Sequence, residues 1–289
     1  MRLVSKVILG TANFGLEYGI DFGKRVPDEE IRHILQLAEN TSIFGIDTAR
    51  AYGKAESIVG KFLNSKSKLK IISKLKKGKY KTADEIISQI KESLLALNIQ
   101  KIDYYLIHSF ETFRSQTNVV VEALKKAKKD GLINNFGISV YYPYEVEYFK
   151  TYFKESITIE FPLNVFDRRF LKYIPQWKKD NYTLFARSVF LQGLFFLDKN
   201  SLEEKFPKVK DKILQLRQIT HNLGTSLNCL LLWFVASFES LDGFIIGVNN
   251  VKQLEENLDC LEKYLDIRDL LKNFETEDED IIIPSRWKL

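Results

Sequence analysis

Cysteine is scarce in this sequence: Cys229 and Cys260 are the two among 289 residues. Both fall within helical patterns, so the chain offers neither a disulfide framework nor the ligand spacing of a metal site, and we expect two reduced thiols and no bound metal. Long apolar runs are also lacking, because no stretch approaches the roughly 18 to 20 residues that a membrane span needs. The first ten residues become charged too soon for a signal peptide. These absences predict a cytoplasmic protein with no membrane contact.

An excess of either charge is lacking as well. The 43 Lys and Arg residues stand against 38 Asp and Glu residues, and basic side chains are interspersed with acidic ones. A nucleic-acid binder concentrates its basic residues in a stripe, so we expect no nucleic-acid partner. No linker rich in Pro, Gly or Ser divides the chain. We therefore predict one domain over residues 1–289.

Short apolar runs alternate with amphipathic stretches along the chain, which is the pattern of repeated strand and helix units around a parallel sheet. Eight strands are predicted, at residues 7–10, 44–47, 69–74, 104–108, 135–140, 157–162, 184–188 and 243–248. Two helices, over residues 208–223 and 226–238, are predicted between the last two strands. Eight such units predict an α/β fold of the (β/α)8 TIM barrel class, which typically takes about 250 residues.

Four polar side chains lie at or just after the ends of successive predicted strands. Asp47 ends the second strand and Tyr52 follows it, while Lys74 ends the third strand and His108 the fourth. In a barrel, the carboxyl ends of the strands and the loops after them form the active site. A lone Tyr or Lys there is usually structural, but four groups in this order resemble the catalytic tetrad of the aldo-keto reductases. The resemblance covers nearly the whole chain and implies carbonyl reduction with a nicotinamide cofactor.

Carbonyl chemistry gives each of these four groups a role. The carbonyl oxygen needs a proton, and the ordinary pKa of a phenol keeps Tyr52 protonated at neutral pH. We expect Lys74 to lower the pKa of Tyr52, and Asp47 to keep the buried ammonium charged. His108 would orient the carbonyl oxygen or pass a proton. The alternative is that His108 satisfies a buried backbone carbonyl.

Further segments resemble the family's cofactor contacts. The sequence has no G-x-G-x-x-G after a strand, and the aldo-keto family does not need one. The resemblance implies that the cofactor binds at Gly10, Thr11, Asp47, Ser139, Glu160, Arg187, Ser188, Phe190, Gln192, Gly193, Gly247, Val248, Asn249, Gln253, Glu256 and Asn257. The resemblance to the family favours NADPH as the cofactor. NADH is the alternative, because Gln253 replaces an Arg that often binds the 2′-phosphate.

Two positions depart from the family's pattern beside the nicotinamide. Glu160 replaces a Gln that binds the carboxamide, and a carboxylate can only accept hydrogen bonds. Arg187 replaces an aromatic residue that stacks on the nicotinamide, and a planar guanidinium can also stack on a ring. We predict that these two residues form an ion pair.

The substrate is predicted as a class only. The segments F-G-L-E-Y-G-I, N-V-F-D-R-R and I-I-P-S-R-W look like a bacterial branch of the family associated with surface-polysaccharide loci. This implies a small-molecule carbonyl substrate such as a keto-sugar or a nucleotide-linked sugar. Two other functions stay open: a nicotinamide-binding sensor or accessory subunit with negligible turnover, and a barrel epimerase or lyase that uses no nicotinamide. We expect a monomer or a weak homo-oligomer.

Overall fold

Eight parallel strands form a closed barrel in chain order in the computed structural model, which describes residues 3–20, 25–64 and 66–287. The strands are β1 (Val7–Gly10), β2 (Gly45–Asp47), β3 (Lys70–Leu75), β4 (Ile102–Ile107), β5 (Ile133–Ser139), β6 (Thr158–Pro162), β7 (Thr183–Arg187) and β8 (Gly243–Gly247). The predicted (β/α)8 TIM barrel and its eight strands are thus confirmed. Strand ends differ from the prediction by one or two residues, as is usual for element boundaries.

Helices cover the outside of the barrel. They are α1 (Ala12–Gly15), α2 (Asp28–Asn40), α3 (Ala55–Phe62), α4 (Ala83–Leu97), α5 (Phe110–Ser115), α6 (Thr117–Lys129), α7 (Pro143–Lys150), α8 (Ile174–Lys179), α9 (Lys199–Lys205), α10 (Pro207–Leu223), α11 (Leu227–Ala236), α12 (Val251–Glu262), α13 (Arg268–Leu271) and α14 (Glu279–Ile282). Short 3-10 helices occur at Leu3–Lys6, Leu171–Tyr173, Leu191–Phe196 and Pro284–Arg286. Within the described ranges, no helix combines the length and apolar character needed to cross a membrane.

Strand alternation aims the functional side chains into the mouth of the barrel. Ile72 of β3 and Leu106 of β4 form part of a fully buried apolar cluster inside the barrel. Side chains two positions apart on a strand point the same way. Lys74 and His108 follow those two residues by two positions each, so they lie above the apolar cluster on the same inner face.

The connection between β7 and β8 contains both predicted helices, α10 and α11, and the short α9 before them. Gly224 ends α10 in a left-handed conformation with φ 60°, which a residue without a side chain adopts at no steric cost. The chain then turns into α11, which packs against α12.

The expectation of two reduced thiols is wrong. Cys229 on α11 and Cys260 on α12 form a disulfide; their Cα atoms are 5.0 Å apart, and the two residues are separated by 31 positions in sequence. The pairing depends on how the two helices pack, which the helical pattern around each cysteine does not reveal. The bridge joins the helix before β8 to the helix after it.

Candidate active site

Tyr52 is positioned by the loop between β2 and α3. Its backbone N–H donates to the carbonyl of Ala49 at 2.9 Å, which closes a turn after the strand that ends in Asp47. Gly53 follows with φ +57°, and a Cβ there would lie 2.5 Å from the backbone oxygen of Gly15. Glycine is therefore required by both conformation and space, and it holds the loop against α1.

Lys74 is fully buried behind Tyr52. Its ammonium forms an ion pair with Asp47, and its Nζ lies 3.3 Å from the Thr48 carbonyl oxygen. A second carboxylate, Glu160, approaches with Oε2 3.3 Å from the same Nζ. Burial acts to lower the pKa of Lys74, but the two carboxylates outweigh it and raise that pKa above the ordinary value. Lys74 is thus a permanent cation.

The two carboxylates respond differently to sharing one ammonium. Burial, with the negative charge of Glu160, raises the pKa of Asp47 to about 8, although Lys74 acts in the opposite direction. Burial also acts to raise the pKa of Glu160, but Lys74, Arg187 and a hydrogen bond from Ser139 outweigh it and lower that pKa. Asp47 is therefore the carboxyl group of this pair that takes up a proton first.

The pKa of Tyr52 is not lowered overall, although Lys74 acts on it in the expected direction. Burial raises the pKa of the phenol well above its ordinary value. Lys74, with Nζ 5.5 Å from the ring centroid, acts to lower it, while Asp47 and Glu160 act to raise it. Burial is the largest of these effects, so Tyr52 keeps its proton throughout the physiological pH range.

His108 faces Tyr52 edge to face, with ring centroids 5.6 Å apart. Burial and the positive charge of Lys74 lower the pKa of His108 to about 4, so its ring is neutral at pH 7. Within the described residues, its ring nitrogens bond no backbone carbonyl, so the geometry gives no support to the alternative structural role. A neutral ring facing a cavity can donate a hydrogen bond to a ligand.

A cavity of about 580 Å³ lies at the carboxyl ends of the strands. Tyr52, His108 and Asp47 line it, and Lys74 lies beneath its wall. The predicted cofactor residues that line it are Gly10, Thr11, Asp47, Ser139, Glu160, Arg187, Ser188, Phe190, Gln192, Gly193, Gly247, Asn249, Gln253, Glu256 and Asn257. Val248 does not line the cavity: its side chain is buried, and its carbonyl oxygen accepts a hydrogen bond from Asn13 Nδ2 at 2.6 Å.

The predicted ion pair between Glu160 and Arg187 is confirmed, with 3.8 Å between Glu160 Oε1 and Arg187 Nε. Arg187 is also held by the Val140 carbonyl at 2.9 Å and lies 4.2 Å from the centroid of the Tyr141 ring. Ser139 donates to Glu160 Oε1 at 2.9 Å. Glu160 therefore contacts the tetrad, through Lys74, and is also one of the predicted nicotinamide contacts.

The loop after β7 has an unusual backbone. Four residues near the cavity have positive φ angles: Ser188 (62°), Leu191 (44°), Gln192 (52°) and Gly193 (97°). Such conformations cost energy for residues with a side chain and cluster at binding sites. The carbonyl of Gln192 accepts from the backbone N–H of Ile20 at 3.0 Å, so the loop is tied to the segment after β1.

Three residues at the cavity were missed by the sequence reasoning. Tyr141 stacks on Arg187, Asn228 on α11 bonds Asn257 at 3.1 Å, and Asn13 bonds the side chain of Asn249 at 2.9 Å. Tyr141 immediately follows the Gly137–Val140 segment, so its position was a usable signal. No sequence signal marked Asn228, because its position at the cavity depends on the packing of α11 against α12.

The fold and the site can be compared with known proteins. The model of the Aldo/keto reductase family matches residues 6–272. The chain is similar to "Uncharacterized oxidoreductase YqkF" of Bacillus subtilis, with 24% identity over 280 residues that cover 88% of this chain and 86% of that protein. The solved structure of aldo-keto reductase AKR11C1 from Bacillus halodurans (holo form) shares 20% identity and a TM-score of 0.75 over 95% of each chain. The glycerol dehydrogenase AKR11B4 from Gluconobacter oxydans shares 22% identity and a TM-score of 0.74 over 97% of this chain and 93% of that one. Since the family model matches most of its length, this chain belongs to the aldo/keto reductase family.

Proposed function

We propose that this protein reduces a carbonyl group of a small molecule to an alcohol with a reduced nicotinamide dinucleotide. Membership of the family and the likeness to a named oxidoreductase support the general reaction. The observation that carries the catalytic assignment is the grouping of Tyr52, His108 and Asp47 on one cavity, with the Lys74 ammonium buried against Asp47. The site thus brings together a proton donor (Tyr52), a hydrogen-bond donor (His108) and a buried positive charge (Lys74).

The dinucleotide, when bound, supplies the hydride. Tyr52 donates the proton to the carbonyl oxygen, because its phenol is protonated at neutral pH. Neutral His108 donates a hydrogen bond to the same oxygen and orients it. As the proton leaves Tyr52, negative charge develops on the phenol oxygen, and the buried charge of Lys74 stabilises it.

The residues around the predicted nicotinamide contacts fit such a ligand. Glu160 lines the cavity, and its Oε2 accepts no hydrogen bond within the described part of the chain, although Lys74 lies 3.3 Å away. A carboxylate that lines the cavity can accept a hydrogen bond from the N–H₂ of a carboxamide, so Glu160 suits this end of the cofactor. The guanidinium of Arg187 packs against the ring of Tyr141, and Arg187 lines the same cavity as Glu160.

A keto-sugar or a nucleotide-linked sugar is the proposed substrate class. A second cavity of about 350 Å³ shares His108 and Ser139 with the first. The rings of Phe110 and Tyr144 meet edge to face there, with centroids 5.8 Å apart, and the ion pair of Arg114 with Glu111 lines the same space. Aromatic faces beside charged groups suit a sugar, which combines apolar C–H faces with hydroxyl groups.

Steady-state turnover tests the proposal. Purified protein is assayed with aldehydes, ketones and keto-sugars, each with NADH and with NADPH, while consumption of the reduced cofactor is followed. We expect measurable reduction of at least one class, with keto-sugars preferred over simple aldehydes. Binding of a dinucleotide without turnover of any of these compounds would contradict the catalytic proposal.

The sensor or accessory-subunit function is favoured by one observation. Glu160 brings a second negative charge to Lys74 and acts to raise the pKa of Tyr52, which opposes the loss of its proton. A single-turnover experiment, in which excess protein with prebound reduced cofactor is mixed with the same carbonyl compounds, separates the functions. No oxidation of the cofactor over hours, with binding intact, would support the sensor.

The cytoplasmic location and the monomeric or weakly oligomeric state remain predictions. The Cys229–Cys260 disulfide bears on the location, because such bridges are rare in reducing compartments. Thiol labelling of the protein in freshly lysed cells, followed by mass spectrometry, would show whether the bridge forms there.

A further inference from the structure

The side of the cavity formed by α11 and α12 is lined by neutral amides and one carboxylate. Its side chains are Asn228, Asn249, Gln253, Asn257 and Glu256. The resemblance to the family places the adenosine half of the cofactor against the start of α12. The charges there therefore decide whether the ribose can carry a 2′-phosphate.

The start of α12 already holds an anion. The backbone N–H of Val251 donates to Glu30 Oε1 at 2.6 Å, so a carboxylate from α2 occupies the positive end of the helix. The N–H of Gln253 donates to the side chain of Asn250 at 2.8 Å. The Gln253 side chain is also engaged, since its Oε1 accepts from the N–H of Asn249 at 2.8 Å. A phosphate arriving here would meet two backbone N–H groups that are already bonded, and a negative charge.

In the described part of the chain, the cationic side chains around this cavity are either ion-paired inside it or extended into solvent. Arg187 is the one Lys or Arg among the described residues that line the cavity, and it is held by Glu160 and Tyr141 on the β7 side. Lys252 extends into solvent with 82% of its side chain exposed, and its nearest carboxylate is Glu256 at 3.8 Å. A phosphomonoester, which carries nearly two negative charges at pH 7, meets amide groups but no cation among the described residues of this wall.

We propose that this wall selects a ribose with a free 2′-hydroxyl, so that the protein prefers NAD(H) to NADP(H). The inference rests on the proposed dinucleotide-dependent function and differs from the family habit of NADPH. Ribose hydroxyls can donate to a carboxylate such as that of Glu256, as they do to acidic residues in other NAD sites. A 2′-phosphate at the same place would be repelled by Glu256 and Glu30.

Calorimetric titration tests the proposal without relying on turnover. The ligands are NAD⁺, NADP⁺ and the two fragments that lack nicotinamide, ADP-ribose and 2′-phospho-ADP-ribose. We expect NAD⁺ and ADP-ribose to bind at least tenfold more tightly than their phosphorylated counterparts. Glu30→Gln should improve NADP⁺ affinity about threefold to tenfold, and Gln253→Arg should shift the NAD⁺/NADP⁺ affinity ratio tenfold or more toward NADP⁺.

Lys263→Gln is the matched control, because Lys263 is exposed at the far end of α12 and does not line the cavity. It should change each affinity less than twofold. Equal or tighter binding of NADP⁺ by the parent protein would overturn this inference while leaving the reductase function intact. Failure of all four ligands to bind would overturn the reductase proposal and this inference with it.

Discussion

At the scale of single residues, the most consequential contact joins Lys74 to two carboxylates instead of one. Asp47 forms the closer ion pair, and Glu160 lies 3.3 Å from the same ammonium. Fully buried charges are stabilised only by their partners, so all three residues depend on one another. A substitution at any of them changes the protonation of the others.

Tyr52→Phe removes the proposed proton donor and keeps the ring. We expect turnover to fall about a hundredfold or more, the usual scale for loss of a general acid. Dinucleotide affinity and the urea midpoint should stay near those of the parent. Tyr80→Phe is the control, because it removes a phenol hydroxyl that bonds the Lys76 carbonyl outside the cavity. Near-parental turnover in Tyr52→Phe, or an equal loss in both variants, would rule out the assigned role.

Glu160 and Arg187 provide a test of the proposed nicotinamide contacts. Glu160→Gln should change dinucleotide affinity by no more than about tenfold, or roughly 1.4 kcal/mol, because Arg187 keeps its contacts to Val140 and Tyr141. The double variant Glu160→Gln with Arg187→Tyr should bind at least as tightly as the parent, since an amide and an aromatic ring then replace the ion pair.

Fluorescence titration of all four members of this double-mutant cycle gives the coupling energy. Residues in contact normally show non-additive effects, and the two charges lie 3.8 Å apart. Additive effects would show that the ion pair contributes nothing to binding. Unchanged affinity in both single variants would place both residues away from the nicotinamide.

At the scale of elements, the disulfide joins α11 to α12 beside the cavity. A bridge that spans 31 positions is expected to stabilise the folded chain by roughly 3 to 4 kcal/mol. Urea unfolding with and without a reductant should therefore show a lower free energy of unfolding for the reduced protein. The double variant Cys229→Ser with Cys260→Ser should have the same free energy of unfolding as the reduced parent, and the reductant should not change it. Identical curves for the parent in both conditions would contradict the stabilising role.

The elements also show which features the sequence could and could not predict. Each strand is a short apolar run bounded by polar residues, so the barrel and the positions of Lys74 and His108 follow from local pattern. Local pattern does not predict that Glu160 lies near Lys74. Glu160 is on β6, which pairs with β5 and β7, whereas Lys74 is on β3, so the contact crosses the mouth of the barrel. Contacts made by packing across the barrel, or between α11 and α12, leave no mark in local periodicity.

At the scale of the whole molecule, two buried groups of the site set opposing pH dependences of stability. The pKa of Asp47 rises from 3.8 to about 8 on folding, so the native state binds its proton more tightly and stability falls as pH rises through that interval. The pKa of His108 drops from 6.5 to about 4, so the unfolded state binds its proton more tightly and stability rises with pH in that interval. Between about pH 4 and about pH 6.5, the contributions of Asp47 and His108 to the free energy of unfolding therefore change in opposite directions and cancel.

Above about pH 6.5 only the contribution of Asp47 remains of these two, so the free energy of unfolding should fall by about 1 to 2 kcal/mol between pH 6.5 and 8. Asp47→Asn has the same shape, does not titrate and leaves Lys74 paired with Glu160, so its stability should be nearly flat over that range. Urea unfolding at constant ionic strength, at several pH values in this interval, measures both proteins. If the variant shows the same decline as the parent, the proton is not held by Asp47 and another group is responsible for the slope.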